Sequence, residues 1–501
     1  MTQNELHEKI HEISLGRSFF FPSNEIYNNV AGFYDYGPVG SLLKKKVENL
    51  FRSLFIRQEG FHEIEASIIT PEIVLKASGH VDTFADPVME CVNCKTRVRA
   101  DSFVEGAVAN FKWDSKIESL DKMVLENQLK CPKCKGDFSS VLMFNLMFKT
   151  GISADQAAAY CRPETAQGTF TSFQRIFRNH GAKLPIAVAQ IGKSFRNEIS
   201  PRKGIVRMRE FTQMELEYFF SPANDKFEKY KQYANLEMRF LVDDKTETKT
   251  VQKALDDGTI VNQIMAYFMA LEWVYYKRCG IDEDRTYFRV IPKEGTPHYS
   301  KKNIDMEVIT SVGAIEVNGN AYRTDFDLSQ HKKFSGKEIE VFIEEEKAKI
   351  IPHVFEAALG VDRLVFCILE HCFKSKQEKK EGEKEAVKEW EWFDFPPEIA
   401  PYSCAIFPLM KKNGMSEKAQ EICATLRENY DVFYQESGSI GKRYARADEI
   451  GVPYAITVDY QTFEDGTVTI RYRNDGLQER IKVTQLTATI KENIAKGRVK
   501  L

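Results

Sequence analysis

The sequence predicts an α+β fold in which a large region of strands and helices is followed by a smaller α/β domain. The chain of 501 residues is too long for a single hydrophobic core. Strand-like runs interrupted by insertions fill its first 373 residues, whereas strand and helix alternate regularly after residue 398. The charged segment KSKQEKKEGEKEAVKE separates the two parts. These observations indicate several domains joined by an exposed connection.

Composition excludes some classes of protein. The net charge of -3 argues against a surface devoted entirely to nucleic acid, although a local basic face remains compatible with it. No apolar stretch approaches the roughly 20 residues of a membrane-spanning helix, and the polar N-terminus lacks the apolar core of a secretory signal. We therefore expect a cytoplasmic protein that has no membrane partner. The ten cysteines are then expected to be thiols and metal ligands.

The elements of the larger region follow from apolar spacing. Apolar residues three and four apart predict a helix over 41–58, and FHEIEASIITP alternates like a strand that ends at Pro71. Strands are predicted at 186–192, 194–199, 209–220 and 305–317, and a helix at 357–369.

The chain divides into seven regions that differ in composition. Region 91–148 is a cysteine-rich insertion, 224–290 is rich in helix formers and is predicted to be a helical insertion, and 374–398 is an exposed linker or solvated helix. The regions in order are 1–90, 91–148, 149–223, 224–290, 291–373, 374–398 and 399–501.

Charged and aromatic residues cluster in FRNEISPRKGIVRMREF (195–211). Arg196 and Glu198 are two apart on the predicted strand and would share one face; a basic loop and a returning strand with Phe211 follow. Such a set suits a nucleotide, with arginine for phosphate, glutamate for an exocyclic amine and phenylalanine for the base. The alternative is a cross-strand ion pair in an ordinary hairpin.

Two further residues stand near predicted helix N-termini. Arg363 follows a glycine at the start of an apolar helix, where it could bind phosphate or simply pair with a surface acid. Glu164 in RPETAQG precedes a helix, where a negative charge could serve only the helix dipole.

Two Cys-x-x-Cys pairs flank a spacer of 36 residues in the cysteine-rich insertion. They can supply four thiolates to a tetrahedral zinc ion, the ligands being Cys91, Cys94, Cys131 and Cys134. The alternative is that the thiols merely lie near one another. The other six cysteines are isolated in apolar contexts and are expected in the core.

Taken together, these motifs resemble the class II aminoacyl-tRNA synthetases, and within them the glycyl-tRNA synthetases of the dimeric eukaryotic and archaeal type. The likeness extends over nearly the whole chain and is weakest in the two insertions and the charged linker. The stretches that carry it are SNEIYNNVAGFYDYGPVG (23–40), RPETAQG (162–168), FRNEISPRKGIVRMREF (195–211), IEVNGNAYRTDFDLSQH (315–331), EAALGVDRL (356–364) and GSIGKRYARADEIGVPYAITVD (438–459).

The resemblance implies a homodimer with an antiparallel catalytic sheet flanked by helices and a C-terminal α/β anticodon-binding domain. It implies that glycine and ATP form glycyl-adenylate and pyrophosphate, after which glycine passes to the 3′ end of tRNA(Gly). The partners implied are ATP with Mg²⁺, glycine and tRNA. Catalysis would then consist of positioning and charge stabilisation.

Roles for single residues also follow from the resemblance. Arg196, Glu198 and Arg363 would be catalytic, contacting the α-phosphate, the adenine amine and the γ-phosphate. Glu316 would in addition hold Mg²⁺. The implied ATP site comprises Arg196, Asn197, Glu198, Arg207, Met208, Phe211, Glu316, Val317 and Arg363, and the implied glycine site comprises Arg99, Glu164, Glu215, Glu356 and Ala358.

The chain departs from the family pattern at Asn28, Asn29 and Ala358, where the family usually has glycines and a serine. One alternative is another class II synthetase, such as a prolyl, threonyl or histidyl enzyme. A second is a catalytically silent, synthetase-like RNA-binding or regulatory protein, which would be favoured by loss of Arg196, Glu198 or Arg363; all three are present.

A basic cluster in the C-terminal domain is a candidate contact for tRNA. Lys442, Arg443 and Arg446 lie within about one helical turn, with Tyr444 between them. Such a cluster can bind phosphates and stack on unpaired bases. The alternative is a solvated face neutralised by Asp448 and Glu449.

Overall fold

A computed structural model describes residues 2–201, 204–297, 299–379 and 387–497. The N-terminal region supplies one edge strand of the main sheet and a supporting helix. That helix begins at Pro38 rather than at the expected residue 41, because proline suits a first helical position, and it continues as a π-helical turn over Arg52–Arg57. The elements are α1 (Gln3–Gly16), β1 (Phe20–Pro22), β2 (Tyr34–Tyr36), α2 (Pro38–Phe51), β3 (His62–Ile64), β4 (Ile69–Pro71), α3 (Glu72–Ala77) and α4 (His80–Thr83).

The cysteine-rich insertion contains a small sheet of order β6-β5-β7 and two helices. Its elements are β5 (Ala85–Glu90), β6 (Arg97–Arg99), α5 (Ala100–Ala107), α6 (Ile117–Glu126) and β7 (Leu142–Asn145). A core of its own, which includes Met89, Val104 and Leu120, holds these elements together.

The chain then forms a small sheet of order β4-β9-β8, followed by two long strands of the main sheet. The elements are β8 (Lys149–Ile152), β9 (Ala157–Cys161), α7 (Ala166–Asn179), β10 (Ile186–Phe195) and β11 (Glu210–Phe220). The strand predicted at 194–199 is wrong beyond Phe195: Asn197 N–H donates to the carbonyl of Leu146, and Glu198 N–H to that of Arg196. Arg196 and Glu198 therefore lie in a loop and not on one strand face; residues 202 and 203 of the predicted basic loop lie outside the described residues.

The second insertion is not simply helical. Its elements are β12 (Glu237–Val242), β13 (Lys245–Thr250), α8 (Val251–Asp256), α9 (Gln263–Arg278) and β14 (Thr286–Val290). The three strands extend the main sheet at one edge, and α9 is buried along nearly its whole length. A helix that buries every face lacks the amphipathic pattern of an independent helical domain.

The main sheet is completed by long strands after residue 300. The elements are β15 (Lys302–Thr310), β16 (Gly313–Thr324), α10 (Phe326–Ser335), β17 (Val341–Ile343), β18 (Ala348–Ile350), β19 (His353–Gly360) and α11 (Val361–Cys372). The helix predicted from residue 357 begins at Val361, because residues 353–360 form a central strand.

The resulting nine-stranded sheet has the order β13-β12-β14-β15-β16-β19-β11-β10-β3. All its pairs are antiparallel except β12 with β14 and β10 with β3. The expected antiparallel sheet with flanking helices is thus confirmed. Short 3₁₀ turns occupy Glu25–Tyr27, Gly204–Val206, Glu228–Tyr233, Glu283–Arg285, Lys293–Gly295 and Val483–Gln485.

The charged segment forms a hairpin instead of the expected linker or helix. Strands β20 (Phe373–Lys379) and β21 (Val387–Phe393) pair antiparallel, while 380–386 lie outside the described residues. Trp390 and Trp392 stack with ring centroids 4.4 Å apart, and Phe393 is buried. These aromatic residues stabilise the pairing that the charged residues obscure in the sequence.

The C-terminal domain has the alternating strands and helices expected. A five-stranded sheet has the order β23-β22-β24-β25-β26, in which the first three strands are parallel. Its elements are β22 (Cys404–Pro408), α12 (Met415–Arg427), β23 (Val432–Tyr434), α13 (Ile440–Glu449), β24 (Tyr454–Val458), α14 (Gln461–Asp465), β25 (Thr467–Tyr472), β26 (Gln478–Lys482) and α15 (Leu486–Lys496).

One hydrophobic core crosses from the main sheet into the C-terminal domain. Phe19 near the N-terminus contacts Phe393 and Phe395 with ring centroids 5.2 and 6.2 Å apart. Arg473 donates to the carbonyls of Gly451 and Phe395 at 2.8 and 3.0 Å. Over the part of the chain that the structure describes, no helix has the length and apolarity needed to cross a membrane.

Candidate active site

A polar cavity of about 330 Å³ opens on the main sheet beside the first turn of α11. Strands β11, β16 and β19 form its floor, since their side chains alternate between the two faces of the sheet. The charged residues that line it are Glu164, Arg196, Glu198, Arg207, Glu215, Asp305, Glu316, Arg323, Glu356, Asp362 and Arg363.

Arginine side chains define one end of the cavity. The Arg196 guanidinium lies over the rings of Phe84 and Phe211, 5.4 and 5.3 Å from their centroids. The Glu198 carboxylate is 3.9 Å from the guanidinium of Arg207. Although the predicted strand face is absent, the loop after β10 still brings Arg196 and Glu198 to the same cavity as Phe211.

Arg363 closes this end from the first turn of α11. Its guanidinium donates to the carbonyl of Glu316 at 2.7 Å and lies 3.7 Å from the Glu316 carboxylate. The preceding residue, Asp362, accepts hydrogen bonds from the backbone of Thr212 at 2.6 Å and from the hydroxyl of Tyr36 at 2.7 Å. These bonds fix the helix start against β11, so Arg363 is held in place by backbone partners.

Carboxylates define the opposite end. Glu215 accepts hydrogen bonds from the backbone and hydroxyl of Thr165 and from the amide of Gln213. Glu356 accepts from Arg323 at 2.6 Å, and Glu164 lies 3.4 Å from the ring of His80. The cavity therefore has three arginines at one end, interspersed with carboxylates, and three glutamates at the other.

Burial and mutual repulsion perturb these carboxylates. Burial raises the pKa of Glu215 to about 8, and the neighbouring Glu356 and Glu164 contribute. Burial likewise raises the pKa of Glu356, against the opposing effect of Arg323. Burial opposes the ionisation of Glu164, but His80 and Arg323 together lower its pKa below the usual range. Such contrasts in a cavity are typical of functional sites.

The structure brings together most of the residues assigned from the sequence, including Met208, Val317 and Ala358, but two lie outside the cavity. Asn197 lines a neighbouring groove with Phe144. Arg99 forms ion pairs with Asp86 at 3.2 Å and Asp101 at 2.8 Å and is not among the residues that line the cavity.

Arg323, which the sequence motifs do not single out, organises the acidic end. Its guanidinium is buried and donates two hydrogen bonds to Asp327 besides the one to Glu356. The ring of Tyr299 lies 4.1 Å from this guanidinium. No local spacing in the sequence indicates this pair, because Arg323 lies near the end of β16 and Asp327 in the first turn of α10.

The two cysteine pairs meet as expected. The Sγ atoms all lie within 4.8 Å of one another, with 3.4 Å between Cys91 and Cys134 and 3.6 Å between Cys94 and Cys131. Zn–S bonds of about 2.3 Å in a tetrahedron separate sulfurs by about 3.8 Å, so the cluster fits such an ion. Both cysteine loops close in the same way. The backbone amide of the lysine after the second cysteine donates to the carbonyl of the first cysteine, from Lys95 to Cys91 at 3.0 Å and from Lys135 to Cys131 at 2.9 Å.

The basic cluster of the C-terminal domain is only partly available. Arg443 is buried, and its guanidinium donates to the backbone carbonyls of Pro408 and Leu409. Tyr444 donates to or accepts from the hydroxyl of Thr457 at 2.6 Å. The prediction that all three cations face tRNA is therefore wrong for Arg443; Lys442 and Arg446 remain exposed on α13.

The proposed neutralising acids also have other partners. Asp448 pairs with Arg471 at 2.9 Å, and Glu449 accepts a hydrogen bond from Arg17 at 2.6 Å. The alternative of a face neutralised within α13 is thus not what the structure shows.

Family models define the class of this protein. Residues 148–372 match the model described as "tRNA synthetase class II core domain (G, H, P, S and T)", and residues 403–493 match the "Anticodon binding domain". The expected class II aminoacyl-tRNA synthetase is confirmed.

Similarity to individual proteins shows which family within the class II synthetases this chain belongs to. The chain is 36% identical to a glycine–tRNA ligase of Methanocaldococcus jannaschii, over 98% of this chain and 100% of that protein. It is 35% identical to those of Methanothrix thermoacetophila (97% of this chain, 96% of that one) and Methanothermobacter thermautotrophicus (98% and 99%). The chain belongs to the glycine–tRNA ligase family. This membership sets aside the prolyl, threonyl and histidyl alternatives.

Proposed function

We propose that this protein activates glycine with ATP and transfers it to the 3′ end of tRNA(Gly). The observation that carries the proposal is one cavity with arginines at one end and buried glutamates at the other. Glycine and ATP have matching charges, because the phosphates are anionic and the amino group of glycine is cationic. The glycine carboxylate would attack the α-phosphorus as pyrophosphate leaves, and a terminal tRNA hydroxyl would then displace AMP.

The ATP would lie at the arginine end. Arg196 would bind the α-phosphate, Glu198 would accept from the adenine amine and Phe211 would stack on the base. Arg363 would meet the γ-phosphate, while Arg207, Met208 and Val317 would line the remaining surface. These groups supply charge stabilisation from fixed positions, as phosphoryl transfer requires.

Glycine would lie at the acidic end. Glu164, Glu215 and Glu356 would surround its ammonium group, and Ala358 would border the site without offering a hydroxyl. Arg99 and Asn197 have no role in this proposal, because other partners hold them outside the cavity.

Two metals are proposed from the donor sets present. Glu316 and Asp305 border the phosphate end with carboxylates, which suits Mg²⁺ bound together with ATP. Mg²⁺ would supply charge neutralisation to the phosphates. The four-cysteine cluster suits a structural Zn²⁺.

We further propose the regional boundaries given above, with tRNA read by 399–501, and a homodimer. We also propose a cytoplasmic location, which the ten free cysteines support because a reducing compartment keeps thiols unpaired.

ATP–pyrophosphate exchange with each amino acid tests the proposed function. We expect exchange with glycine and at least about a hundredfold less with alanine or serine. Comparable activity with alanine or serine would contradict the specificity. No exchange with any amino acid would favour the catalytically silent alternative.

A further inference from the structure

A fourth glutamate, Glu217, lies directly behind the proposed glycine site. It is two residues from Glu215 on β11, so both side chains point to the same face of the sheet. It also stands opposite Glu356 in the register of β11 with β19. Carboxylate oxygens of Glu215, Glu217 and Glu356 all lie within 4.8 Å of one another. Glu217 does not line the cavity, so it cannot touch glycine directly.

Glu217 differs from its neighbours in its hydrogen bonds. Glu215 has donors on both carboxylate oxygens, and Glu356 has Arg323. Glu217 is fully buried, and among the described residues neither of its carboxylate oxygens has a hydrogen-bond partner. The hydroxyl of Thr169 on α7 lies close enough to favour its anion slightly, but it too is without a hydrogen-bond partner.

The charged groups around Glu217 leave it uncompensated. The anions facing it are Glu215 on its own strand and Glu356 on β19, and Glu356 is in turn faced by Glu164 and Asp327. The facing cation is Arg323 on β16, whose guanidinium donates to Asp327 and Glu356. Arg162 and His80 act on Glu215 and Glu164 instead. A buried anion placed among other anions is strongly disfavoured.

We propose that Glu217 is a positioning residue that remains protonated and donates a hydrogen bond from its carboxyl O–H to Glu356, which stands opposite it and beside Glu215. The proton converts a repulsive contact beneath the site into a hydrogen bond, so the two cavity carboxylates are held toward the glycine ammonium. Burial, and then Glu215 and Glu356, raise the pKa of Glu217 well above its ordinary value, in agreement with this geometry. The inference rests on the proposed glycine site.

Two substitutions of Glu217 test whether it acts as a neutral hydrogen-bond donor or as an anion. Glutamine keeps a hydrogen-bond donor without a charge, whereas leucine keeps only the volume. In pyrophosphate exchange we expect E217Q to retain a KM for glycine within about threefold of the parent and E217L to raise it about tenfold or more, with the KM for ATP unchanged in both. Equal increases in both variants would show that the negative charge of Glu217 is needed, and unchanged values in both would show that it has no positioning role. Either result overturns the proposal.

A spectroscopic measurement does not depend on the leucine variant folding. With ¹³C-labelled glutamate, the infrared spectrum of the parent protein at pH 7 should show one more buried carboxylic-acid C=O component than that of E217Q, in addition to those expected from Glu215 and Glu272. Absence of that difference would overturn the proposal. E215Q distinguishes this failure from failure of the proposed site: if E215Q leaves the KM for glycine unchanged, the glycine site itself is wrong, whatever Glu217 does.

Discussion

At the scale of single residues, the ionisation state of buried carboxylates decides what the sheet can hold. Glu272 on α9 is fully buried and accepts a hydrogen bond from the amide of Asn320 at 2.9 Å. Burial raises its pKa from 4.5 to about 8. Because Asn320 belongs to β16, this acid supports a strand that also carries Glu316 and Val317.

We predict that E272Q stabilises the protein near neutral pH. The pKa of Glu272 is higher in the folded protein than in the unfolded chain. Its contribution to the free energy of unfolding is therefore fully present below about pH 4.5 and is lost as the pH rises toward 8. The neutral amide removes that loss, which amounts to about 3 kcal/mol at pH 7. Urea unfolding between pH 4.5 and 8.5 should show that E272Q and the parent protein have similar free energies of unfolding at pH 4.5 and that E272Q is the more stable at higher pH.

E237Q, at an exposed glutamate of β12, is the matched control and should follow the parent. A constant difference between E272Q and the parent at every pH would contradict the prediction, because ionisation of Glu272 would then not be its cause.

Residue chemistry predicted the catalytic cavity unequally well. Arg363 lies in a helix-start motif that is visible in the chain, whereas Glu215 was assigned only through the family resemblance. Arg323 was not assigned, because its role depends on Glu356 and Asp327, which three separate elements bring together. Likewise, nothing local in the sequence reveals that Arg99 is engaged by Asp86.

At the scale of elements, the cysteine loops and α13 each support a separate prediction. In the insertion, we expect about one zinc per chain in protein purified without chelators. C131S should lose that zinc and make 91–148 sensitive to protease, since the small core around Leu120 has few residues of its own. Elemental analysis and limited proteolysis measure the two effects.

C161S is the control, because Cys161 lies outside the cluster on β9. Zinc retained at full stoichiometry in C131S, or absent from the parent under reducing conditions, would reject the metal site.

On α13 we expect the two exposed cations to contribute to tRNA binding and the buried Arg443 to contribute to the stability of the fold. We predict that the double variant K442A/R446A raises the KM for tRNA about tenfold and reduces its salt dependence, because phosphate contacts release counterions. ATP–pyrophosphate exchange should remain at the parent level. R443A should instead lower the unfolding temperature, since it removes the donor to the carbonyls of Pro408 and Leu409.

K491A on α15 removes an exposed lysine elsewhere in the same domain and serves as the control. Unchanged tRNA kinetics in the double variant would remove α13 from the interface.

The helices and strands predicted from the sequence were wrong where long-range contacts determine the secondary structure. Residues 196–199 alternate like a strand, but a backbone bond to Leu146 of the insertion pulls them into a loop. Region 224–290 is rich in helix formers, yet β12 and β14 pair within the main sheet. Alternation over the first part of the C-terminal domain was predicted correctly, because β22, α12 and β24 bury apolar side chains.

At the scale of the whole molecule, the shared core makes the catalytic and C-terminal parts depend on each other. Ion pairs reinforce the contact, including Arg278 with Glu398 at 2.6 Å and Lys46 with Asp431 at 2.7 Å. The charged run at 374–389 does not indicate the hairpin that joins these two parts, because the aromatic residues that anchor the hairpin come after the run.

We predict one cooperative unfolding transition for the full chain. F395A should lower that whole transition, since removing a fully buried phenylalanine costs about 3–5 kcal/mol. Differential scanning calorimetry measures the effect, and F463A, at a half-exposed phenylalanine of α14, should change it little. Two separate transitions, with only one shifted by F395A, would contradict the prediction.

The close contact at Gly451 limits how this protein could acquire a different tRNA. Its φ of +73° favours glycine, and a β-carbon there would lie 2.2 Å from the ring of Phe395. A domain transplanted from another synthetase at residue 399 would have to reproduce this glycine and the arginine at 473 or leave aromatic surface uncovered. New specificity is therefore more accessible through changes on the outward side of the domain, such as α13, than through exchange of the domain as a module.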